Sequence, residues 1–309
     1  MNALLAAATM VLLASPAAAQ GGRVVVVTGI GGGAEYAARF DASASAMVRA
    51  ARAAGVPEAN IAYLAGDSVA GTARATRDNV ERTLRDAVSR AGPDELLFVL
   101  LIGHGSHEGA ESRLNLPGPD ITAAGISRVL ADARSRRVVV VNAASGSGDF
   151  VAALAAPGRT VVAATKSSAE RNETQFAQYF VAAFAGAGAD TDKDGRTSVL
   201  EAFEYARREV TRAYASDNRL LTEHAVLDDG ADGAVARSLF LGSAGEPAGA
   251  SDPAVAKLLE QKRDVERRLA ALRLRKDSLP AADYDAQLER LLLELAEKDS
   301  AIRARGTAR

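Results

Sequence analysis

Residues 98–105 read Phe-Val-Leu-Leu-Ile-Gly-His-Gly, and residues 137–146 read Arg-Val-Val-Val-Val-Asn-Ala-Ala-Ser-Gly. Each is an unbroken apolar run that stops abruptly at small residues, the pattern of a strand covered on both faces. Residues 23–28, Arg-Val-Val-Val-Val-Thr, end the same way at Gly29. Strands are therefore expected at 23–28, 60–65, 96–102, 137–142 and 160–164. Helical patterns occupy 34–54, 76–91, 121–133, 147–155, 173–185 and 197–216. In the second of these, Val80, Leu84 and Val88 share one face. Strand–helix alternation of this kind predicts an α/β fold, a mostly parallel sheet flanked by helices.

The bulk composition excludes several functional classes. The chain has 309 residues, 48% of them hydrophobic, which is ample for a packed core of about two domains. A net charge of −2 provides no general attraction to nucleic acid. There is no cysteine, so disulfides, thiolate catalysis and cysteine-ligated zinc are all excluded. At the N-terminus an apolar run from Ala3 to Ala14 precedes Ser15-Pro16 and Ala17-Ala18-Ala19. This is the pattern of a secretory signal peptide over 1–19, and it predicts an exported protein, periplasmic or secreted.

Near the C-terminus the character changes. Residues 243–252 have linker composition, rich in Gly, Ala, Ser and Pro. Beyond them, positions 255, 258, 262, 265, 269, 272, 276 and 279 recur in steps of three and four until Pro280 breaks the run. A second series follows at Tyr284, Leu288, Leu291, Leu295, Lys298 and Ile302. Residues 253–309 are expected to form an antiparallel coiled-coil hairpin, an arm for self-association or for docking to another protein.

Ligands of open parallel sheets bind beyond the carboxyl ends of the strands. Three strand ends supply candidates here: Gly29 to Gly33, Gly103 to Gly105, and Asn142 to Gly148. His104, between glycines after five apolar residues, is expected to present its ring at the sheet edge. His107 falls in a polar stretch expected to be a solvated loop. Taken in order, these motifs resemble the clan CD, caspase-like cysteine peptidases, and among them the legumain-like family. The matching features are the apolar strand into His104-Gly105 and the apolar strand into Ala143-Ala144-Ser145-Gly146-Ser147. Val25 to Gly32 with Tyr36, Gly55-Val56-Pro57 and Ala164-Thr165-Lys166-Ser167-Ser168 support them. The resemblance covers roughly residues 22–240 and places a caspase-like domain over 22–242.

The resemblance implies a histidine base at His104 and an oxyanion donor in the Gly105 amide. The nucleophilic cysteine of the family maps to Ala144, whose methyl cannot attack a carbonyl. A family asparagine near the end of the first strand maps to Gly31. Both departures fall at active positions, which implies a pseudopeptidase that acts by binding or as a scaffold for a protein or peptide partner. The alternative is a hydrolase in which Ser145 or Ser147 works with His104. No acidic residue is evidently placed to orient that histidine. Gly29-Ile30-Gly31-Gly32-Gly33-Ala34 also fits a dinucleotide fingerprint. The acid required about 20 residues on is missing, and Asp67 is much farther.

Residues 190–201 read Asp-Thr-Asp-Lys-Asp-Gly-Arg-Thr-Ser-Val-Leu-Glu. Acids at loop positions 1, 3 and 5, glycine at 6, a hydroxyl at 9 and glutamate at 12 form the pattern of a calcium-binding EF-hand loop. The expected ligands are Asp190, Asp192, Asp194, the carbonyl of Arg196, Ser198 and Glu201, the last closing the shell bidentately. A second acidic turn, 228–233, lacks the closing glutamate and reads as a plain loop.

Overall fold

The computed structural model describes residues 22–108, 111–186, 188–242, 253–273, 276 and 279–306. The expected signal peptide (1–19) and linker (243–252) lie outside the described residues. The elements in chain order are β1 (Gly22–Thr28), α1 (Ala34–Ala53), β2 (Ile61–Ala65), β3 (Ala73–Arg74), α2 (Arg77–Arg90) and β4 (Leu96–Ile102). After these come β5 (Gly105–Glu108), β6 (Glu111–Leu114), β7 (Ile121–Thr122), α3 (Ala123–Leu130), β8 (Arg137–Asn142), α4 (Asp149–Leu154) and β9 (Arg159–Ala163). The chain continues through α5 (Phe176–Ala183), α6 (Val199–Ser216), β10 (Val226–Asp228), α7 (Pro253–Arg273) and α8 (Ala281–Gly306).

Seven strands form the main sheet in the order β10-β9-β8-β4-β1-β2-β3. All neighbours are parallel except β10, which runs antiparallel to β9. The five strands expected from the apolar runs are those from β2 through β1, β4 and β8 to β9. The reason lies in their burial. All seven side chains of β4 are buried, and Val24 to Val27 of β1 are at most 2% exposed. Each such side chain contributes roughly 2 kcal/mol of transfer free energy, so two helical layers are needed to cover both faces. Phe40, Met47, Phe176, Phe180 and Phe203 from α1, α5 and α6 cover one face. Val80, Leu84, Ile126 and Phe150 from α2, α3 and α4 cover the other.

Local signals agree with this layering. Thr76 caps α2 by accepting the Asn79 amide, and Thr122 caps α3 by accepting that of Gly125. A three-stranded antiparallel sheet, β5-β6-β7, was not expected from sequence. It follows β4 directly and places His107 on a strand, not in a solvated loop.

Helices α7 and α8 pack on each other through Val265, Leu269, Leu272, Tyr284 and Leu291, with Leu279, Leu288 and Leu295 alongside. The Arg268–Glu294 and Lys262–Asp299 pairs run in opposite sequence directions along the two helices. Among the described residues, this apolar cluster is separate from the two that cover the sheet. No helix among the described residues is long and apolar enough to cross a membrane.

Because the body and the α7–α8 pair have separate cores, truncation after Gly242 should leave a folded, soluble body. The cut must retain Leu241, which is buried in the layer formed by α1, α5 and α6. Circular dichroism and a single cooperative melt of the truncated chain check this. A molten or aggregated product would show that the pair is required for folding.

Candidate functional site

From β1 the sheet grows through β2 and β3 to one side, and from β4 through β8 and β9 to the other. The crevice of such a sheet lies at the carboxyl ends of the strands flanking that reversal. His104, two residues beyond β4, stands there. Its Nε2 is 3.1 Å from the carbonyl oxygen of Gly31, in the loop after β1. A carbonyl only accepts, so Nε2 carries the hydrogen and the neutral ring keeps Nδ1 as its acceptor. The rings of Tyr36 and Phe40 on α1 meet the imidazole edge to face, with centroids 5.0 and 5.2 Å away. Among the described residues, no carboxylate hydrogen-bonds to His104.

Two residues that sequence reasoning missed hold this arrangement. The Gly31 amide donates to Asp67 Oδ2 at 2.8 Å. Asn115 ties the two strand ends together: its carbonyl accepts the Ile30 amide at 3.1 Å, and its amide donates to the His104 carbonyl at 3.0 Å. Both come from loops after other strands and carry no local signal. A β-carbon at Gly31 would lie 2.5 Å from the Ala37 nitrogen. The backbone thus excludes an asparagine there, so the departure at Gly31 is built into the loop. With the Ile30 and Gly31 amides engaged, the glycine run is no open phosphate cradle at those positions.

The elbow after β8 separates the alanines. Ala143 lies in the layer of Phe40 and Ile102, the same layer as the rings that hold His104. Ala144 is fully buried in the opposite layer, with Leu114, Leu116 and Phe150. The structure therefore does not bring the Ala144 methyl together with His104. Ser145 and Ser147 are also buried. Ser145 Oγ accepts the Gly105 amide at 3.1 Å, so the expected oxyanion donor is already engaged. Ser147 Oγ lies 3.2 Å from Thr165 Oγ1 and accepts the Thr165 amide at 3.3 Å. Among the described residues, no hydrogen bond joins either hydroxyl to His104. Beside the elbow, a groove of about 370 Å³ is lined by Phe40, Ile102, Ala143, Val181, Arg39 and Gln178, among others.

The surrounding loops are pinned by carboxylates, Glu223 buried and Asp149 part-exposed. Glu223 accepts the Gln175 and Phe176 amides at 2.8 Å each, at the start of α5. Burial pushes its carboxyl up to about 7, against the pull of those two amides. His107 Nδ1 lies 3.2 Å from Ser112 Oγ, which donates to Asp149 Oδ2 at 3.0 Å. Burial opposes ionisation of Asp149, but hydrogen bonds from Ser168 and Ser112 and the nearby His107 hold its carboxyl below the usual range.

In the acidic loop, Asp190, Asp192 and Asp194 bring one carboxylate oxygen each within 4.8 Å of one another, a set that could hold a metal ion. Burial and the charges of Asp192 and Asp190 push the Asp194 carboxyl up to about 6. Gly195 turns the loop at φ 81°, and its amide donates to Asp190 Oδ2. The Arg196 amide donates to Asp194 Oδ1, and its guanidinium lies 3.9 Å from the Phe240 ring centroid.

The last two expected ligands are placed differently. Ser198 and Glu201 form a reciprocal capping box at the start of α6. Glu201 Oε1 also accepts the Thr191 amide and hydroxyl at 2.8 and 3.0 Å. The Glu201 carboxylate thus closes the loop through protein donors, and the three aspartates form the converging set. A residue not anticipated also faces this loop. Lys262 of α7 places Nζ 2.9 Å from Asp192 Oδ2. No protein-family model matches the chain, and no curated protein matches it.

The chain's lack of cysteine makes the elbow register testable. A thiol in Ala144→Cys should resist alkylation in the native protein and react only after denaturation, because residue 144 is fully buried away from the His104 crevice. Rapid native labelling by iodoacetamide would place position 144 in the crevice.

Proposed function

We propose that this chain is a caspase-like, legumain-like pseudopeptidase, exported and acting as a binding or scaffold module for a protein or peptide partner. The reading rests first on the sequence motifs that resemble that family, on the mostly parallel sheet and on a histidine at the topological switch point. The observation that carries catalytic silence is at the elbow. The Gly105 amide donates to a buried Ser145 hydroxyl, so a candidate nucleophile and the expected oxyanion donor satisfy each other. Nucleophilic catalysis needs a hydroxyl within reach of a base and a free donor for the oxyanion. The same bond disfavours the alternative hydrolase that would use Ser145 or Ser147. Partner binding falls to the crevice and its groove, with α7 and α8 as a coiled-coil arm for a second copy or another protein.

We infer further that calcium stabilises the body through the 190–201 loop. Three clustered carboxylates, two of them raised by burial and by neighbouring charges, gain from a dication that neutralises them. In an exported setting such a loop would meet calcium at extracellular concentrations.

Purified protein should not cleave peptide libraries, including those containing Asn or Asp. Turnover that disappears in His104→Ala would overturn catalytic silence.

Calcium binding to the native state should add about 2.7 kcal/mol of stability at 100-fold saturation. The melting temperature should therefore rise in millimolar calcium, and Asp190→Asn should abolish the rise. Identical melts in excess chelator and excess calcium would leave a plain capped turn.

A further inference from the structure

The 190–201 loop already has a cation against it, supplied by the chain itself. Lys262 lies 21 residues beyond Leu241, on α7, yet its side chain is only 4% exposed. Its Nζ sits 2.9 Å from Asp192 Oδ2, 3.2 Å from Asp299 Oδ1 of α8 and 3.9 Å from Glu266 Oε1. One ammonium thus joins the loop to both helices of the hairpin. Burial alone would lower the Lys262 pKa, but the Asp192 hydrogen bond and the charges of Asp192, Glu266 and Asp299 hold the ammonium firmly protonated.

The hairpin has its own apolar cluster, distinct from the clusters of the body. The helix α7 approaches the body at the short turn Ala236–Ser238. A groove of about 620 Å³ lies between the hairpin and the 230–238 segment, with Asp192 and Lys262 both on its wall. A buried ammonium between carboxylates is a strong link only while those carboxylates stay uncompensated.

A dication on the loop removes that condition. Calcium sits 2.3–2.6 Å from its oxygens, so an ion on Asp192 Oδ2 would lie at most about 5.5 Å from Lys262 Nζ. At that range, with the ammonium itself buried, the two cations repel each other, and the charge that draws Lys262 inward is already neutralised. We propose that Lys262 and a divalent cation are antagonistic partners of the Asp190–Asp194 loop, so that loading the loop frees the α7–α8 hairpin from the body. This rests on the calcium reading above and adds its consequence: the metal would govern whether the arm is docked or available to a partner. Linkage requires the antagonism to be mutual, so a docked hairpin must weaken metal binding by the same factor that metal weakens docking.

The test uses the full chain and calcium ions, with Lys262→Met, which keeps the stem and removes the charge, and Lys262→Arg, which keeps the charge. Arg208→Cys on α6 and Ala286→Cys on α8 carry a fluorophore pair, free of background because the chain has no cysteine. Titration calorimetry should show Lys262→Met binding calcium at least about 10-fold more tightly than the parent, with Lys262→Arg close to the parent. Energy transfer in the parent should change on calcium addition. In Lys262→Met it should match the calcium-loaded parent before any calcium is added. Equal calcium affinity in the parent and Lys262→Met, with unchanged transfer in both, would overturn the antagonism and leave the calcium reading standing. Absence of calcium binding in the parent, Lys262→Met and Lys262→Arg alike would overturn the calcium reading and the antagonism with it.

Discussion

Strand β4 has no exposed side chain, and that constraint organises the body. A strand buried on both faces must sit inside a sheet and between two layers. Strands β1 and β8 supply its hydrogen-bonding neighbours through full parallel registers. The two helical layers cover the alternating faces: Phe98, Leu100 and Ile102 on one, Leu97, Val99 and Leu101 on the other. Once β4 is central, its carboxyl end must lie beside those of β1 and β8. The histidine beyond β4, the glycine loop beyond β1 and the elbow beyond β8 then meet as a consequence of packing. The crevice is where the buried runs stop, and no local motif is needed to place it.

The same alternation limits what the crevice can do. Side chains of period two divide between the layers, so neighbouring residues at a strand end part company. Ala143 continues the layer of Val139 and Val141, while Ala144 falls with Val138 and Val140. His104 continues the layer of Leu100 and Ile102 and finds Tyr36 and Phe40 there. The elbow then turns inward, and its hydroxyls satisfy backbone amides of Gly105 and Thr165. A buried amide left without a partner would cost about 1–3 kcal/mol, so these hydroxyls have a structural task before any chemical one. The elbow hydroxyls are thus part of the scaffold that holds the strand ends.

Much of this was legible from residues alone, and for one reason. Continuous apolar runs and amphipathic helices report burial directly, so the five long strands and the helices of the body fall within a few residues of their expected ends. The mini-sheet β5-β6-β7 was not legible, because Gly-Ser-His-Glu and Glu-Ser-Arg-Leu are polar and only partly buried. The two-residue β3 is exposed and carries no pattern. At the site, His104 and the aspartates of the acidic loop were visible as residue types at telling positions. Asp67, Asn115 and Lys262 were not, since each acts on a residue more than 10 positions away through geometry that only the fold creates. Lys262 is instructive: it occupies a seam position of the α7 repeat, where its stem reads as ordinary packing, while its ammonium reaches a loop 70 residues earlier.

The bond between His104 Nε2 and the Gly31 carbonyl has a further consequence. It spends one ring nitrogen on the scaffold and leaves the other for the crevice, since among the described residues no group hydrogen-bonds to Nδ1. Gly31 is itself anchored by Asp67, and the histidine backbone by Asn115, so the ring is held from both strand ends. The crevice is thus a fixed apolar surface carrying a single aimed acceptor. A ligand that donates one hydrogen bond and stacks against Tyr36 and Phe40 would find both features already in place.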